Sequence, residues 1–319
     1  MIRVAAIDCG TNSVRLLVAD LAEPDSAGPD SAGPGGALVD VVRQMEIVRL
    51  GQGVDRTGRL APEAIERTRV ALADYAAQIE ALGAQRVRMV ATSATRDAAN
   101  ADEFRAMVVD TLGIAPEVVT GQEEARLSFT GAVRGLPVDT PRPYLVVDIG
   151  GGSTEFVLGD AEPRDAISVD IGCVRMTERH LRDDPPTAAQ IRAAEADITA
   201  VVDGALAVVR GQTARTLVGL AGSVTTVTAL ALGLDSYRPE RIHHARVSYP
   251  EVARVTGELL AMTHDQRLAL PVMHPGRADV IGAGALILRI LMERAGADSV
   301  VTSEHDILDG ICYSVASPT

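Results

Sequence analysis

One short pattern occurs twice in the chain, at a constant offset of 140 positions. Each copy is an apolar strand, an aspartate, a turn that contains glycine, a serine and a second apolar strand. The copies occupy residues 5–20 and 145–160. Because they agree at polar as well as apolar positions, we predict a duplicated domain in place of two unrelated hairpins. The matching residues are Asp8 and Asp148, Gly10 and Gly150, Ser13 and Ser153, and Asp20 and Asp160, with Arg15 at the position of Glu155.

The turn in the second copy consists of Gly150, Gly151 and Gly152 and is predicted to bind phosphate. Glycines allow several backbone N–H groups to point into one concave surface that holds phosphate oxygens. Asp148 before the turn and Glu155 after it add carboxylates, which suit Mg²⁺ beside a phosphate. A plain hairpin would explain a single turn of this kind equally well. Two facing copies would form a cleft with a phosphate loop on each wall.

Composition excludes several classes of protein. The chain has 319 residues, about two domains, and 47% of them are hydrophobic, which is enough for two cores. Its formal net charge of −13 argues against a nucleic-acid polymer as partner. Ile2 and Arg3 lead directly into a strand and no apolar run could span a bilayer, so we expect neither a signal peptide nor a membrane partner. Three widely spaced cysteines suit a reducing cytoplasm.

All 30 basic residues are arginine. The absence of lysine excludes a Walker-type phosphate lysine and a Schiff-base lysine. A GC-rich genome would explain this composition as well. Any phosphate clamp in this chain must nevertheless use arginine, which binds oxyanions through two parallel hydrogen bonds.

Two candidate side chains lie where a predicted strand or loop runs into a helix. The strand 86–91 ends in Thr92–Asp97, where Arg96 is either a phosphate clamp or a solvated residue at a helix start. The predicted helix 121–134 carries Glu124 in its first turn. A carboxylate there either stabilises the helix dipole or acts as a general base.

Four other features are weaker. Arg175 and Arg277 are further candidate phosphate clamps. The adjacent His243 and His244 are predicted not to bind metal, because neighbours on an extended segment face opposite sides. The segment Pro24–Pro34 is a tandem repeat of turn residues and is predicted to be a solvated loop.

Seven segments resemble, in the same order, those of the exopolyphosphatase / guanosine pentaphosphate phosphatase family, and together they represent essentially the whole chain. The resemblance implies an α/β protein with a duplicated actin-like, ribonuclease H-like fold and a cleft between its lobes. Lobe I would comprise 1–122 and 303–319, and lobe II would comprise 123–302. The similar segments are 7–16, 92–96, 121–126, 148–155, 172–178, 221–226 and 277–281.

The resemblance also implies a role for each candidate residue. Glu124 takes the position of the catalytic glutamate, which would orient and deprotonate water. Asp148 and Glu155 take positions around the metal, Mg²⁺ or Mn²⁺, and we expect Asp8 to join them. The resemblance puts Gly150 beside the metal and the attacking water, and it puts Asn12, Ser13, Arg96 and Ser153 at phosphate-facing positions. We expect Arg15, Gly150, Gly151 and Gly152 to bind phosphate with them.

Two features depart from the family pattern. The family often has a glycine- and arginine-bearing segment before the last helix, whereas this chain has Ser303–Gly310, so one basic contact is in question. The chain also stops after the two lobes, without the helical extension of longer members. Because such extensions help to hold long polymers, processivity on long chains stays open.

The expected reaction is hydrolysis of inorganic polyphosphate from its ends, in the cytoplasm. Removal of the 5′ γ-phosphate of pppGpp would use the same atoms, and the sequence does not separate the two substrates. A kinase of the same fold is disfavoured by segment 121–126, which argues for water as the acceptor. A sensor that binds polyphosphate or (p)ppGpp without catalysis is disfavoured by the presence of Glu124, Asp148 and Glu155. The expected partner is a polyanionic phosphate, and the resemblance alone implies a homodimer.

Overall fold

The computed structural model describes residues 1–22 and 38–316, which contain eleven β-strands. The predicted loop Pro24–Pro34 lies outside these residues. The strands are β1 (Ile2–Cys9), β2 (Ser13–Leu21), β3 (Leu38–Ile47), β4 (Arg86–Ala91), β5 (Glu117–Val118), β6 (Tyr144–Ile149), β7 (Thr154–Gly159), β8 (Pro163–Val169), β9 (Thr216–Leu220), β10 (Arg246–Ser248) and β11 (Ser299–Thr302).

The same two ranges contain thirteen α-helices, and none of these is both long enough and apolar enough to cross a membrane. The helices are α1 (Val54–Thr57), α2 (Pro62–Leu82), α3 (Ser93–Arg96), α4 (Ala101–Leu112), α5 (Gly121–Val133), α6 (Cys173–His180), α7 (Ala188–Val209), α8 (Ala221–Ala231), α9 (Pro239–Ile242), α10 (Tyr249–Ala261), α11 (His264–Leu268), α12 (Ile281–Ala295) and α13 (Ile307–Ala316).

Element bounds follow local sequence signals. Helix α2 begins with Pro62 in its first turn and ends at Gly83, whose φ of 68° is readily adopted by glycine. The apolar helix α12 begins at Ile281, after a 3₁₀ turn at Pro275–Arg277. The His274 imidazole stabilises that turn by accepting a hydrogen bond from the amide of Gly276.

The chain divides into two compact units, which we describe separately. Unit 1 comprises Met1–Gly135 and Asp306–Thr319, and unit 2 comprises Leu136–His305. Helix α5, and with it Glu124, therefore packs in unit 1, whereas we placed 123–302 in lobe II. Its Leu127 packs in one apolar cluster with Ile311 of α13, which explains the assignment.

The sheet of unit 1 has the strand order β3-β2-β1-β4-β5, with β1, β2 and β3 antiparallel and β4 parallel to β1. Alternate residues of the central strands point to opposite faces. Ile7 packs with Leu72 of α2 and Phe104 of α4 on one face. Ala6 packs with residues of α5 and α13 on the other face. The apolar core of unit 1 thus lies in two layers around its sheet.

Unit 2 repeats this arrangement. Its sheet has the order β10-β11-β9-β6-β7-β8, with β6, β7 and β8 antiparallel and β9 parallel to β6. The antiparallel pairing of β6 with β7 matches that of β1 with β2, and β9 corresponds to β4. The predicted duplicated α/β fold is therefore confirmed.

Candidate active site

The two repeated turns contain the same backbone hydrogen bond. In unit 1 the amide of Gly10 donates to the carbonyl of Ser13, and in unit 2 the amide of Gly150 donates to that of Ser153, each at 3.0 Å. Each turn lies at the carboxyl end of a central strand, the edge at which α/β sheets bind ligands. Residues that correspond in the sequence thus have corresponding places in their own units.

In unit 1, backbone and side-chain hydrogen bonds fix the turn after β1. The carbonyl of Asn12 accepts a hydrogen bond from the amide of Arg49 at 2.8 Å, and that of Thr11 accepts one from Gly51 at 2.8 Å. The hydroxyls of Thr11 and Ser93 are hydrogen-bonded at 2.9 Å. The predicted phosphate-facing turn is therefore attached to the start of α3.

Asp8 and Arg15 are register partners on β1 and β2. Nε and Nη2 of Arg15 donate to Oδ2 of Asp8 at 3.0 and 2.7 Å, and Nη1 donates to Asp306. Arg15, predicted to contact phosphate, is thus engaged by two carboxylates. Asp8 is 5% exposed, and its Oδ1 has no hydrogen-bond partner among the described residues. Burial raises the pKa of Asp8 above its ordinary value, although the charge of Arg15 opposes the change.

Asp306 is a site residue that the sequence analysis missed. Its Oδ1 accepts a hydrogen bond from the amide of Leu308 at 3.0 Å, and its own amide donates to Asp309 at 2.9 Å. Burial alone would raise the pKa of Asp306, but Arg15 and Arg43 hold it below its usual range. In the sequence, an acidic residue before a helix indicates only a helix cap. The contact of Asp306 with Arg15, 291 positions away, cannot be inferred from that local pattern.

Glu124 and Arg96 lie together in unit 1. The hydroxyl of Thr120 accepts a hydrogen bond from the amide of Glu123 at 3.2 Å. This threonine, and not Glu124, therefore caps helix α5. Nη1 of Arg96 donates to Oε2 of Glu124 at 3.1 Å and to the carbonyl of Val119 at 2.9 Å. Glu124 is 8% exposed. Its carboxylate is therefore held in one orientation at the start of a helix, as a general base requires.

Asp148 and Glu155 are register partners on β6 and β7 in unit 2, where they are 8% and 2% exposed. Oε1 of Glu155 accepts a hydrogen bond from Ser168 at 2.7 Å. Like charges opposite each other on neighbouring strands are destabilising, and burial increases the cost. This pair supplies two carboxylates of the kind that bind a cation, whereas in unit 1 the register partner of Asp8 is Arg15.

Helix α6 fixes the conformation of the glycine turn in unit 2. The amides of Cys173 and Val174 donate to the carbonyls of Gly150 and Gly151, both at 2.9 Å. A side chain at Gly172 would overlap the carbonyl of Gly151, so only glycine permits this close approach. The predicted phosphate loop is therefore built against the start of a helix.

The two other candidate clamps also adjoin unit 2 turns. Nε of Arg175 donates to the carbonyl of Gly152 at 2.7 Å, which makes it a support of the glycine turn. A side chain at Gly222 would overlap the guanidinium of Arg277, which therefore packs on the first turn of α8. Ser153, at the end of the glycine turn, is 2% exposed.

One pair of carboxylates in unit 2 can supply two ligands to a divalent cation. Within residues 1–22 and 38–316, no group of three or more His, Cys, Asp or Glu side chains could hold a metal ion. Mg²⁺, however, is usually bound through one or two carboxylates together with waters and substrate phosphates. Asp148 and Glu155 supply two such carboxylates.

The prediction that His243 and His244 face opposite sides is wrong. Their ring centroids are 3.6 Å apart, and the ring of His305 lies 4.5 Å from that of His243. His244 has a φ of 60°, so the segment is not extended there and the alternation of side chains does not apply.

Comparisons with known proteins agree on one family. The model of the Ppx/GppA phosphatase family matches residues 31–318. Exopolyphosphatase 2 of Mycobacterium tuberculosis is 53% identical over 323 residues, which cover 98% of this chain and 98% of that protein. The guanosine-5'-triphosphate,3'-diphosphate pyrophosphatase of Aeromonas hydrophila is 29% identical over 98% of this chain and 59% of that protein.

A solved structure gives the same result. The crystal structure of an exopolyphosphatase-like protein is 44% identical and superimposes with a TM-score of 0.89, covering 97% of both chains. The similarity therefore extends over both units.

Proposed function

The chain belongs to the Ppx/GppA phosphatase family, and on that premise we propose that it is an exopolyphosphatase. It hydrolyses the terminal phosphoanhydride bond of inorganic polyphosphate and releases orthophosphate. The observation that carries the choice of substrate is the 53% identity to exopolyphosphatase 2 of Mycobacterium tuberculosis along 98% of the chain.

The geometry of unit 1 supports Glu124 as the general base. The carboxylate accepts a proton from water as the water oxygen attacks the terminal phosphorus, and the bond to the bridging oxygen breaks. The shortened polyphosphate retains that oxygen. Arg96, which donates to Glu124 at 3.1 Å, keeps the base in one orientation.

The other residues bind and orient the substrate. The loop Gly150–Gly152 with Ser153 binds phosphate oxygens through backbone amides, and Asn12 and Ser13 occupy the equivalent turn of unit 1. In unit 2, Asp148 and Glu155 would hold Mg²⁺ or Mn²⁺. In unit 1, Oδ1 of Asp8 has no hydrogen-bond partner among the described residues. When bound, the ion supplies positive charge that offsets the negative charge of the phosphate oxygens.

Three cysteines support a cytoplasmic enzyme. Cys9, Cys173 and Cys312 are all buried and unpaired to one another. Burial raises the pKa of Cys173 to about 11, so its thiol stays protonated and inert at neutral pH. Unpaired cysteines suit a reducing compartment.

A second candidate function is removal of the 5′-phosphate of pppGpp. It is favoured by the 29% identity to the guanosine-5'-triphosphate,3'-diphosphate pyrophosphatase of Aeromonas hydrophila. The site chemistry would be the same, because both substrates end in a phosphoanhydride.

A panel of substrates tests both functions. Orthophosphate release is measured with Mg²⁺ on polyphosphates of several lengths, on pppGpp and on ATP. We expect the highest kcat/KM on polyphosphate. A higher value on pppGpp would support the second function, and binding without any release would indicate a sensor.

A further inference from the structure

We propose, resting on the proposed function, that Arg15 and Asp306 are positioning residues that hold Asp8, and that Arg15 is not a phosphate ligand. Through Asp306, the C-terminal helix α13 would thereby set the position of a side chain at the other end of the sequence.

The hydrogen bonds of Arg15 favour this role. All three guanidinium nitrogens donate to carboxylates, Nε and Nη2 to Asp8 and Nη1 to Asp306. The arginine side chain is 19% exposed and the two aspartate side chains are each 6% exposed. A guanidinium shared by two buried carboxylates could turn to a phosphate only by giving up its hydrogen bonds to both and leaving Asp8 without its counter-charge, which is costly.

Asp306 is itself held firmly. Its carboxylate accepts a hydrogen bond from the amide of Leu308, and its own amide donates one to the Asp309 carboxylate at 2.9 Å. Asp309 is 1% exposed and accepts hydrogen bonds from Arg43 at 2.6 and 3.2 Å. The start of α13 thus provides a rigid anchor for Arg15.

One carboxylate oxygen of Asp8, Oδ1, takes no part in this network. Oδ2 accepts two hydrogen bonds from Arg15, while the buried Oδ1 accepts none from the described residues. Buried polar atoms in folded proteins are almost always hydrogen-bonded, so an unsatisfied one needs an explanation. We infer that Oδ1 is kept for the substrate complex.

The same helix also contacts the element that carries Glu124. A side chain at Gly131 of α5 would overlap the carbonyl oxygen of Asp306, and one at Gly310 of α13 would overlap that of Leu127. The backbones of α5 and α13 therefore meet at two glycines. The start of α13 is packed directly against α5 while it anchors Arg15, so Asp8 and Glu124 are held by one structural support.

The test separates positioning from binding. Arg15→Met and Asp306→Asn should each lower kcat on polyphosphate by about tenfold to a hundredfold, as loss of a supporting partner does, with little change in KM. The control is Arg3→Met. Arg3 and Asp20 form an ion pair with 2.8 Å bonds across the same two strands, far from the turn, so this variant should keep wild-type kcat and KM.

A binding measurement without turnover gives a second readout. Titration calorimetry with tripolyphosphate, without divalent cations, should give Arg15→Met the affinity of the wild-type protein. Weakening by about tenfold, the effect of roughly 1.4 kcal/mol, would show that Arg15 binds phosphate and would overturn the proposal.

Other outcomes are also decisive. Unchanged kcat in Asp306→Asn, or a raised KM with unchanged kcat in Arg15→Met, would contradict the positioning role. If either variant does not fold, Arg15→Lys replaces it. Because the lysine ammonium cannot hydrogen-bond both carboxylates as the guanidinium does, this variant should also have a lower kcat. If the wild-type protein hydrolyses nothing, the proposed function fails, whereas calorimetry still tests the inference.

Discussion

Asp148 and Glu155 are partners across β6 and β7 at the register that Asp8 and Arg15 occupy across β1 and β2. The duplicated hairpins thus differ in the sign of one side chain. In unit 1 the aspartate has an arginine as counter-charge, and in unit 2 it stands opposite a second carboxylate. The carboxylate pair of unit 2 is therefore the candidate cation site.

Glu155→Gln tests whether this carboxylate pair binds Mg²⁺. Removing one of two like charges should raise the melting temperature of the protein in EDTA, because the repulsion between the two carboxylates is removed. The hydrogen bond from Ser168 is kept, since the glutamine oxygen can still accept it. The same change should abolish most of the stabilisation by Mg²⁺, which for the wild type is about 2.7 kcal/mol at a hundredfold excess over Kd. Differential scanning calorimetry with and without Mg²⁺ measures both effects.

The surface acid Asp160 provides a control for that experiment, since its side chain is 40% exposed. Asp160→Asn should leave the response to Mg²⁺ unchanged. A Glu155→Gln protein that is destabilised in EDTA and still fully stabilised by Mg²⁺ would exclude this pair as the cation site.

Glu124→Gln should fold normally and lose activity by about 10²–10⁴-fold, the usual effect of removing a general base. The amide keeps the shape of the side chain but cannot accept the proton of water. Orthophosphate release at saturating polyphosphate measures the effect. The neighbouring Glu123, whose side chain is 47% exposed and paired with Arg88, is the control, and Glu123→Gln should retain activity. Wild-type turnover in Glu124→Gln would remove it from the mechanism.

Gly131→Ala should disturb the crossing of α5 and α13. Because the added methyl group would overlap the carbonyl of Asp306, the helices must separate, at a cost of about 1–3 kcal/mol in the free energy of unfolding and with a fall in kcat. Gly204→Ala, in α7, has open space around the new methyl group and should be neutral or stabilising by up to about 1 kcal/mol. Urea unfolding compares the two, and equal effects would argue against the close crossing.

Acidification should weaken unit 2 through His244. Burial, and then the charge of His305, lower the pKa of His244 below its ordinary value. Between the lowered folded pKa and the ordinary pKa, the unfolded chain binds more protons, so stability falls as pH decreases through that window. His244→Asn, which tolerates the φ of 60°, should flatten the pH dependence of urea unfolding below neutral pH.

His264, with a side chain 41% exposed, is the matched control for the pH experiment. His264→Asn should preserve the wild-type slope of stability against pH. An unchanged slope in His244→Asn would assign the acid sensitivity to other groups.

The repeated pattern was sufficient to predict the duplication, because strand periodicity and the turn residues are local properties of the sequence. Asp8 and Asp148, and Arg15 and Glu155, occupy corresponding positions in their units as the alignment of the copies requires. The actin-like fold, by contrast, was an expectation from the family resemblance alone.

Interactions distant in sequence were not predictable in this way. The bond from Arg15 to Asp306 and the crossing of Gly131 with Asp306 depend on where α13 packs, which no local pattern specifies. The stacking of His243 on His244 was missed because a single residue with positive φ reverses the direction of a side chain. The placement of α5 in unit 1 depends likewise on its contacts with α13.

Unit 1 is discontinuous in the chain, since residues from 306 onward join it after all of unit 2 has been added. During synthesis the first hairpin leaves the ribosome before unit 2, and Asp306 leaves it after unit 2. Arg15 therefore gains its second carboxylate only after all of unit 2 has been made. A ribosome that stalls before Asp306 would release a polypeptide in which Asp8 lacks this support.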